Sequence, residues 1–257
     1  LKPIVRNPGE RQNYLVKPYE GQAEFFYQHI LNPVKAGKSL NEILQIKNRY
    51  KAYMTLLIFL SNPKAQLEFI RSIDASLADQ ISSEGNGAKI DRVVKRAKEL
   101  FKENKKVLIW SNFTQNINTL QKELEILGSQ FIDGSVPIEI NKDDELESEF
   151  ETAESEENDF DELETREEKI NSFKNGNCDI LIANPMAAAE SMSLHEVCDN
   201  ALYLDRTYRV DHFLQSEKRI HRLTEGAERT KTVEIFFTKL RGSTDYHVDM
   251  RLSLIHI

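Results

Sequence analysis

Four short runs constrain this chain most: KVLIW (106–110), DILIA (179–183), NALYLD (200–205) and TVEIFF (232–237). Each is almost wholly apolar and lacks the alternation of a strand with one wet face, so each reads as a strand buried on both sides. Between them lie segments with helical spacing. IDRVVKRAKELFKE puts Ile90, Val93, Val94, Ala97, Leu100 and Phe101 on one face. TQNINTLQKELEILG reads as a helix stopped by Gly128, followed by a short strand, QFI. TREEKINSFKNG reads as a helix that Thr165 caps, with Glu168 three residues on and Gly176 behind it. RVDHFLQSEKRIHRLT (209–224) and STDYHVDMRLSLI (243–255) read as further helices. Strands alternating with helices predict an α/β fold, a parallel sheet with helices on both faces.

The first third of the chain has a different rhythm. LNEILQIKNRYKAYMTLLIFL spaces Ile43, Leu44, Tyr50, Met54, Leu57 and Ile58 as a helix does, and Asn62-Pro63 interrupts it. SSEGNG (82–87) reads as a linker. The expected organisation is a mostly helical lead-in over residues 1–87 and an α/β unit over 88–257. Within the latter, 139–164 fits neither period and is too acidic to pack, so it reads as an inserted, disordered surface segment or as a nucleic-acid mimic. Residues 141–168 hold fifteen Asp and Glu against Lys142 and Arg166. Without that stretch's −13, the chain's net charge of −8 becomes +5, which leaves anionic partners open. Cys178 and Cys198 form no CxxC and no disulfide framework, which points to an intracellular, reducing compartment. No apolar run reaches the roughly 18 residues of a membrane span, so no membrane partner is expected. The first residue is Leu, so a fragment or a processed chain is expected.

Open α/β sheets bind ligands at the carboxyl ends of their strands. The turns there carry Ser111-Asn112, Asp133-Gly134-Ser135, Asn184 through Ser193, and Asp205 through Arg209. Small hydroxyl and amide groups with free backbone N–H suit phosphate oxygens, although such turns are polar in any sheet. FLQSEKRIHRLTE places Gln215, Arg219 and Arg222 on one helical stripe. The stripe is either a solvated basic face or a pair of guanidinium groups for a phosphate whose charge grows during transfer. Other candidates are weaker. Gly37-Lys38-Ser39 imitates the end of a phosphate-binding loop, but Asn32 stands where the first Gly belongs and no strand precedes it. His195, Glu196, Cys198 and Asp199 crowd one short segment, a poor geometry for a metal. Trp110 and Cys178 read as core residues.

The residues also carry a family resemblance. QSEKRIHRLTE resembles the last motif of the Swi/Snf-type DNA translocases of helicase superfamily two, Q-x-x-x-R-x-H-R-x-G-Q, at Gln215, Arg219, His221 and Arg222. GAKIDRVVKRAKELFKENKKVLIWSNF is similar to the family's S-G-K, helix, K-V-L-I-F-S-Q-F stretch, IDGS to its D-G-S, and TREEKINSF to its R-x-x-x-(I/V)-x-x-F helix. ILIANPMAAAESMSLHEVCDNALYLD resembles L-S-T-x-A-G-G-x-G-x-N-L…Y-D, and YLVKPYEGQAEFFYQHI with LIFLSNPKAQL resembles the helical approach to this lobe. The order is the family's throughout.

The resemblance implies a second RecA-like lobe, acting with an N-terminal RecA-like lobe that holds most of the ATP and Mg2+. It implies Arg222 as the arginine finger, Arg219 assisting at the phosphates and Gln215 orienting the cleft. Glu190, Ser191 and Ser193 would lie at the nucleotide surface. Ser111, Asn112, Gly134, Ser135 and Asn184 would hold the backbone of duplex DNA. The pattern departs from the family at Ala188, Ala189 and Ser191, where glycines are usual, at Tyr208-Arg209-Val210 for Trp-Asn-Pro, and at Thr224 for Gly. These departures suggest a bacterial, archaeal or viral branch, in a cytoplasm or nucleoid. No Walker loop or D-E-x-H is present, so the chain alone is expected not to hydrolyse ATP. A nucleic-acid-binding or regulatory module without ATPase coupling and an RNA helicase lobe are the alternatives.

Overall fold

The computed structural model describes residues 10–138, 164–188, 192–220, 234–243 and 245. The acidic segment 139–163 and the expected last helix beyond Asp245 lie outside the described residues. Among those described, the sheet has six strands, all parallel: β1 (Glu10–Val16), β2 (Val107–Trp110), β3 (Gln130–Ile132), β4 (Ile180–Ala183), β5 (Asn200–Tyr203) and β6 (Glu234–Leu240). Their order is β1-β6-β5-β2-β4-β3. Every residue of β2, β4 and β5 is buried, the consequence of covering both faces.

Alternate strand residues serve opposite layers. Leu108, Trp110, Leu181, Ala183, Ala201, Tyr203, Ile235 and Phe237 point to one side. There they meet Ile170 and Phe173 of α9 (Arg166–Asn175) and Phe213 of α11 (Val210–Glu217). Val107, Ile109, Ile180, Ile182, Leu202 and Phe236 point to the other. There they meet Ile90, Val93, Val94, Ala97 and Leu100 of α7 (Ala88–Lys102) and Ile117, Leu120 and Leu124 of α8 (Thr114–Leu124). Each large aliphatic side chain so buried is worth roughly 1.5–3 kcal/mol. The helix stops follow the sequence signals. Thr165 and Glu168 form a capping box, and Gly128 and Gly176 end their helices in the left-handed conformation.

The lead-in contains α1 (Glu20–Phe25), a π-helical continuation (Phe26–Leu31), α2 (Asn32–Lys35), α3 (Leu40–Ile43), α4 (Arg49–Ser61), α5 (Leu67–Ile73) and α6 (Ala75–Ser83). These helices bury a third core around Phe25, Phe59, Leu60, Ile70 and Ile81, which Ala88 and Leu240 join from the α/β side. Strand β1 is the main departure from the helical expectation for residues 1–87. It pairs with β6 along its whole length, its Tyr14 stacks on Phe236 at 5.2 Å, and the Arg92 guanidinium lies 4.2 Å above Tyr14. Its polar sequence, ERQNYLV, hides it because an edge strand gains its place from backbone pairing.

Residues 82–87 are equally tied down. Glu84 accepts from the Gly21 N–H at 2.6 Å, and Asn86 donates to Glu123 at 2.6 Å. Tyr19 donates to Asp91 at 2.6 Å, and that bond, with burial, pushes the phenol up to about 12. The buried Lys89 pairs with Asp245 at 3.0 Å, and Asp245 also accepts from the Leu240 N–H at 2.7 Å. Gly87 has φ +122, and a Cβ there would lie 2.7 Å from Pro63 Cδ and 3.0 Å from the Ser61 carbonyl oxygen. Gly87→Ala is therefore expected to cost about 1–3 kcal/mol of stability, read as a lower urea midpoint at an unchanged slope.

Candidate functional site

The carboxyl ends of β5, β2, β4 and β3 place four turns side by side, and one buried carboxylate organises the first two. Asp205, 4% exposed, follows β5. Its Oδ2 accepts from Ser111 Oγ at 2.5 Å and from Asn116 Nδ2 at 3.0 Å. Its Oδ1 accepts from the Asn112 N–H at 2.8 Å and from Asn112 Nδ2 at 3.0 Å. Asn116 Nδ2 also donates to Ser61 Oγ at 2.8 Å, which links the last turn of α4 to the group. The third turn joins through Asn184, whose Nδ2 donates to the Asn112 carbonyl at 3.2 Å and whose N–H donates to the Ile132 carbonyl at 2.8 Å. Asn184 Oδ1 accepts from the Met186 N–H at 2.8 Å, starting α10 (Pro185–Ala188). In the fourth turn Ser135 bends back, its N–H and Oγ donating to Asp133 Oδ1 at 2.9 and 2.5 Å.

Asn112, Asn184, Gly134 and Ser135 therefore line one edge, with Gly134 and Ser135 exposed and the two asparagines half-buried. Ser111 differs. It is fully buried and its hydroxyl is held by Asp205, so it shapes the turn from beneath rather than facing a ligand.

Beyond β5, Tyr208 stacks on Tyr53 of α4 at 5.0 Å, and Arg209 grips Asp211 at 2.8 and 3.2 Å. That bond holds the Asp211 carboxyl down at about 2. Gln215 is exposed on α11. The helix expected to run through residue 224 stops earlier: α11 ends at Glu217, and the Arg219 N–H turns back to the Ser216 carbonyl at 3.1 Å. The cause is local. The Arg219 carbonyl accepts from the Leu194 N–H at 2.9 Å, its guanidinium donates to the Met192 carbonyl at 3.1 Å, and Ile220 is fully buried. Arg219 thus lies past the helix end, half-buried, rather than on a continuous stripe with Gln215. Ser193 Oγ lies 2.9 Å from His195 Nδ1 in the same 192–195 segment. Glu190, Ser191, His221 and Arg222 lie outside the described residues.

The crowded segment His195 to Asp199 does not converge. Cys198 Sγ faces the Lys106 and Asn200 carbonyls, and burial pushes its thiol up to about 12. Among the described residues no His/Cys/Asp/Glu group could hold a metal, and no helix is long and apolar enough to cross a membrane. Ser39 caps α3 and its hydroxyl bonds Glu42 at 2.5 Å, while Gly37 has φ +92 behind α2. The segment Gly37 to Ser39 joins two short helices, and no strand leads into it.

No protein-family model matches the chain, and no curated protein matches it in sequence. Solved structures do match its fold. The C-terminal part of the Fun30 ATPase domain has a TM-score of 0.58 at 17% identity, covering 95% of this chain and 89% of that one. The Sulfolobus solfataricus SWI2/SNF2 ATPase C-terminal domain has 0.57 at 11% identity, covering 96% and 86%. The chain has the fold of a Swi/Snf-type ATPase C-terminal lobe. The Sulfolobus solfataricus SWI2/SNF2 ATPase core in complex with dsDNA gives 0.57 at 13% identity, and this chain spans only 43% of that core.

In this lobe the sequence pointed to the turns but not to what holds them. Asn116 was the available signal, a polar residue on the buried face that also carries Ile117, Leu120 and Leu124 of α8. The partnership of Ser61 and Tyr53 with these turns had no signal in the sequence. Asp205→Ala would leave Ser111, Asn112 and Asn116 without their acceptor. A stability loss of about 3 kcal/mol is expected in chemical denaturation, with Asp205→Asn losing less.

Proposed function

We propose that the chain is the C-terminal motor lobe of an ATP-dependent duplex-DNA translocase or helicase. The supporting observation is the row of turns at Asn112, Asn184 and Gly134-Ser135, the first fixed by Asp205 and the last by Asp133, on a lobe whose fold is that of Swi/Snf-type ATPases. Amide and hydroxyl groups along one sheet edge suit the phosphates of a DNA backbone, and a core of this fold has been seen with double-stranded DNA. ATP and Mg2+ would be held mostly by an N-terminal RecA-like lobe. Arg222 would reach them as the arginine finger, Arg219 would assist, and Gln215 would orient the cleft. Glu190, Ser191 and Ser193 would connect the nucleotide surface to the DNA turns. The link between Arg219 and Met192 to Leu194 supports that connection, because a shift of the helix end would be felt in the segment leading to β5. ATP would close the lobes, hydrolysis would reopen them, and the turns would advance along one strand.

A second reading keeps the fold as a nucleic-acid-binding or regulatory module without coupling, and the alanines in place of glycines favour it. Ala188 weakens that argument, since it is 1% exposed and its methyl group packs in the core rather than toward an incoming phosphate. Reconstitution with the N-terminal lobe separates the two readings. Duplex DNA is expected to stimulate ATP hydrolysis more than RNA does, and Arg222→Ala to lower turnover on the order of a thousandfold while DNA binding persists. Robust turnover by this chain alone, or normal turnover in Arg222→Ala, would refute the assignment.

A further inference from the structure

One surface next to the row of turns has a different chemistry. Residues Lys47, Asn48, Arg49, Tyr50 and Lys51 are all exposed, Tyr50 at 63%. They form the start of α4, with Asn48 as its cap. Tyr53, one turn on, stacks on Tyr208 with the rings 18° from parallel. Tyr53 and Met54 also pack against the cluster of Leu57, Ile58 and Phe113, and Phe113 follows Asn112 directly. The start of α4 is thereby set beside the turn after β5, at the end of the row that runs through the turns after β2, β4 and β3.

Neighbouring strands lie about 4.8 Å apart, so that row extends about 14 Å. It offers amides and hydroxyls, and the start of α4 adds formal positive charge. Asp211 is a carboxylate beside this surface, and Arg209 already binds it. Lys47, Arg49 and Lys51 form no ion pair with another described residue. Three exposed cations interleaved with tyrosine suit a polyphosphate backbone, since each cation releases a condensed counterion on contact and a phenol can donate to a phosphate oxygen.

We propose that Lys47, Arg49 and Lys51, with Tyr50, Tyr208 and Arg209 beside them, are a second backbone-contact surface for duplex DNA that continues the carboxyl-edge row beyond β5. This rests on the DNA-binding reading of the lobe. The test is duplex-DNA binding by the chain, followed by fluorescence anisotropy over a salt series. The triple variant Lys47→Ala/Arg49→Ala/Lys51→Ala is expected to reduce the slope of log K against log salt by about 2–3, at ~0.9 per phosphate contact. The charge-keeping triple Lys47→Arg/Arg49→Lys/Lys51→Arg is expected to retain the slope. All three side chains are exposed, so both variants should melt with the parent chain. An unchanged slope in the alanine variant overturns the proposal and leaves the lobe's DNA binding standing. If that variant keeps its slope but loses ATP turnover with the N-terminal lobe, the surface serves the other lobe, which also overturns it. Failure of the parent chain to bind duplex DNA at any salt overturns the proposed function itself.

Discussion

A single buried carboxylate organises the centre of the sheet's carboxyl edge. Asp205 gathers hydrogen bonds from Ser111, Asn112 and Asn116, which belong to the turn after β2 and the helix that follows it. A buried carboxylate is tolerable only when donors surround it, and donors so placed are costly once their acceptor is removed. The arrangement therefore specifies one conformation of the turn rather than a family of them. Asn112 passes the constraint to Asn184, and Asn116 passes it to Ser61 at the end of α4. Four separate chain segments are thereby held together at the carboxyl edge of the sheet.

The same edge is braced from the lead-in. Helix α4 touches the turn after β2 through Phe113 and the turn after β5 through the Tyr53–Tyr208 stack. The lead-in is in turn fastened to the sheet by β1 on β6 and by the bonds of Tyr19 and Glu84. Residues 10–87 thus brace the carboxyl edge of the sheet, and Gly87 is the tight corner between them.

Much of the α/β half was legible because local rules and the fold agreed there. KVLIW, DILIA and NALYLD are strands, their central residues divide between two cores, and the capping box at Thr165 and the stops at Gly128 and Gly176 lie where the residues indicated. The misses have a common cause. Strand β1 has a polar sequence and exists through backbone pairing with a partner more than two hundred residues away. The expected linker 82–87 is anchored by Gly21 and Glu123, neither near it in sequence. The helix through Arg219 ends early because Met192 and Leu194 capture its last turn. Ser111 looked like a ligand-facing hydroxyl until Asp205, ninety-four residues on, turned it inward.

The sequence by itself determined the class of fold and where the polar strand-end turns fall, because hydrophobic period, helix caps and strand-end turns are properties of neighbouring residues. It also supplied the order of motifs by which the lobe resembles Swi/Snf-type motors. Only the tertiary structure decided which polar groups face outward and which are held by Asp205, and where α11 stops. It alone decided that the cationic start of α4 lies beside the turn after β5. These depend on contacts between residues tens to hundreds of positions apart, and the free energy of such a contact belongs to the pair, so neither residue's local sequence records it.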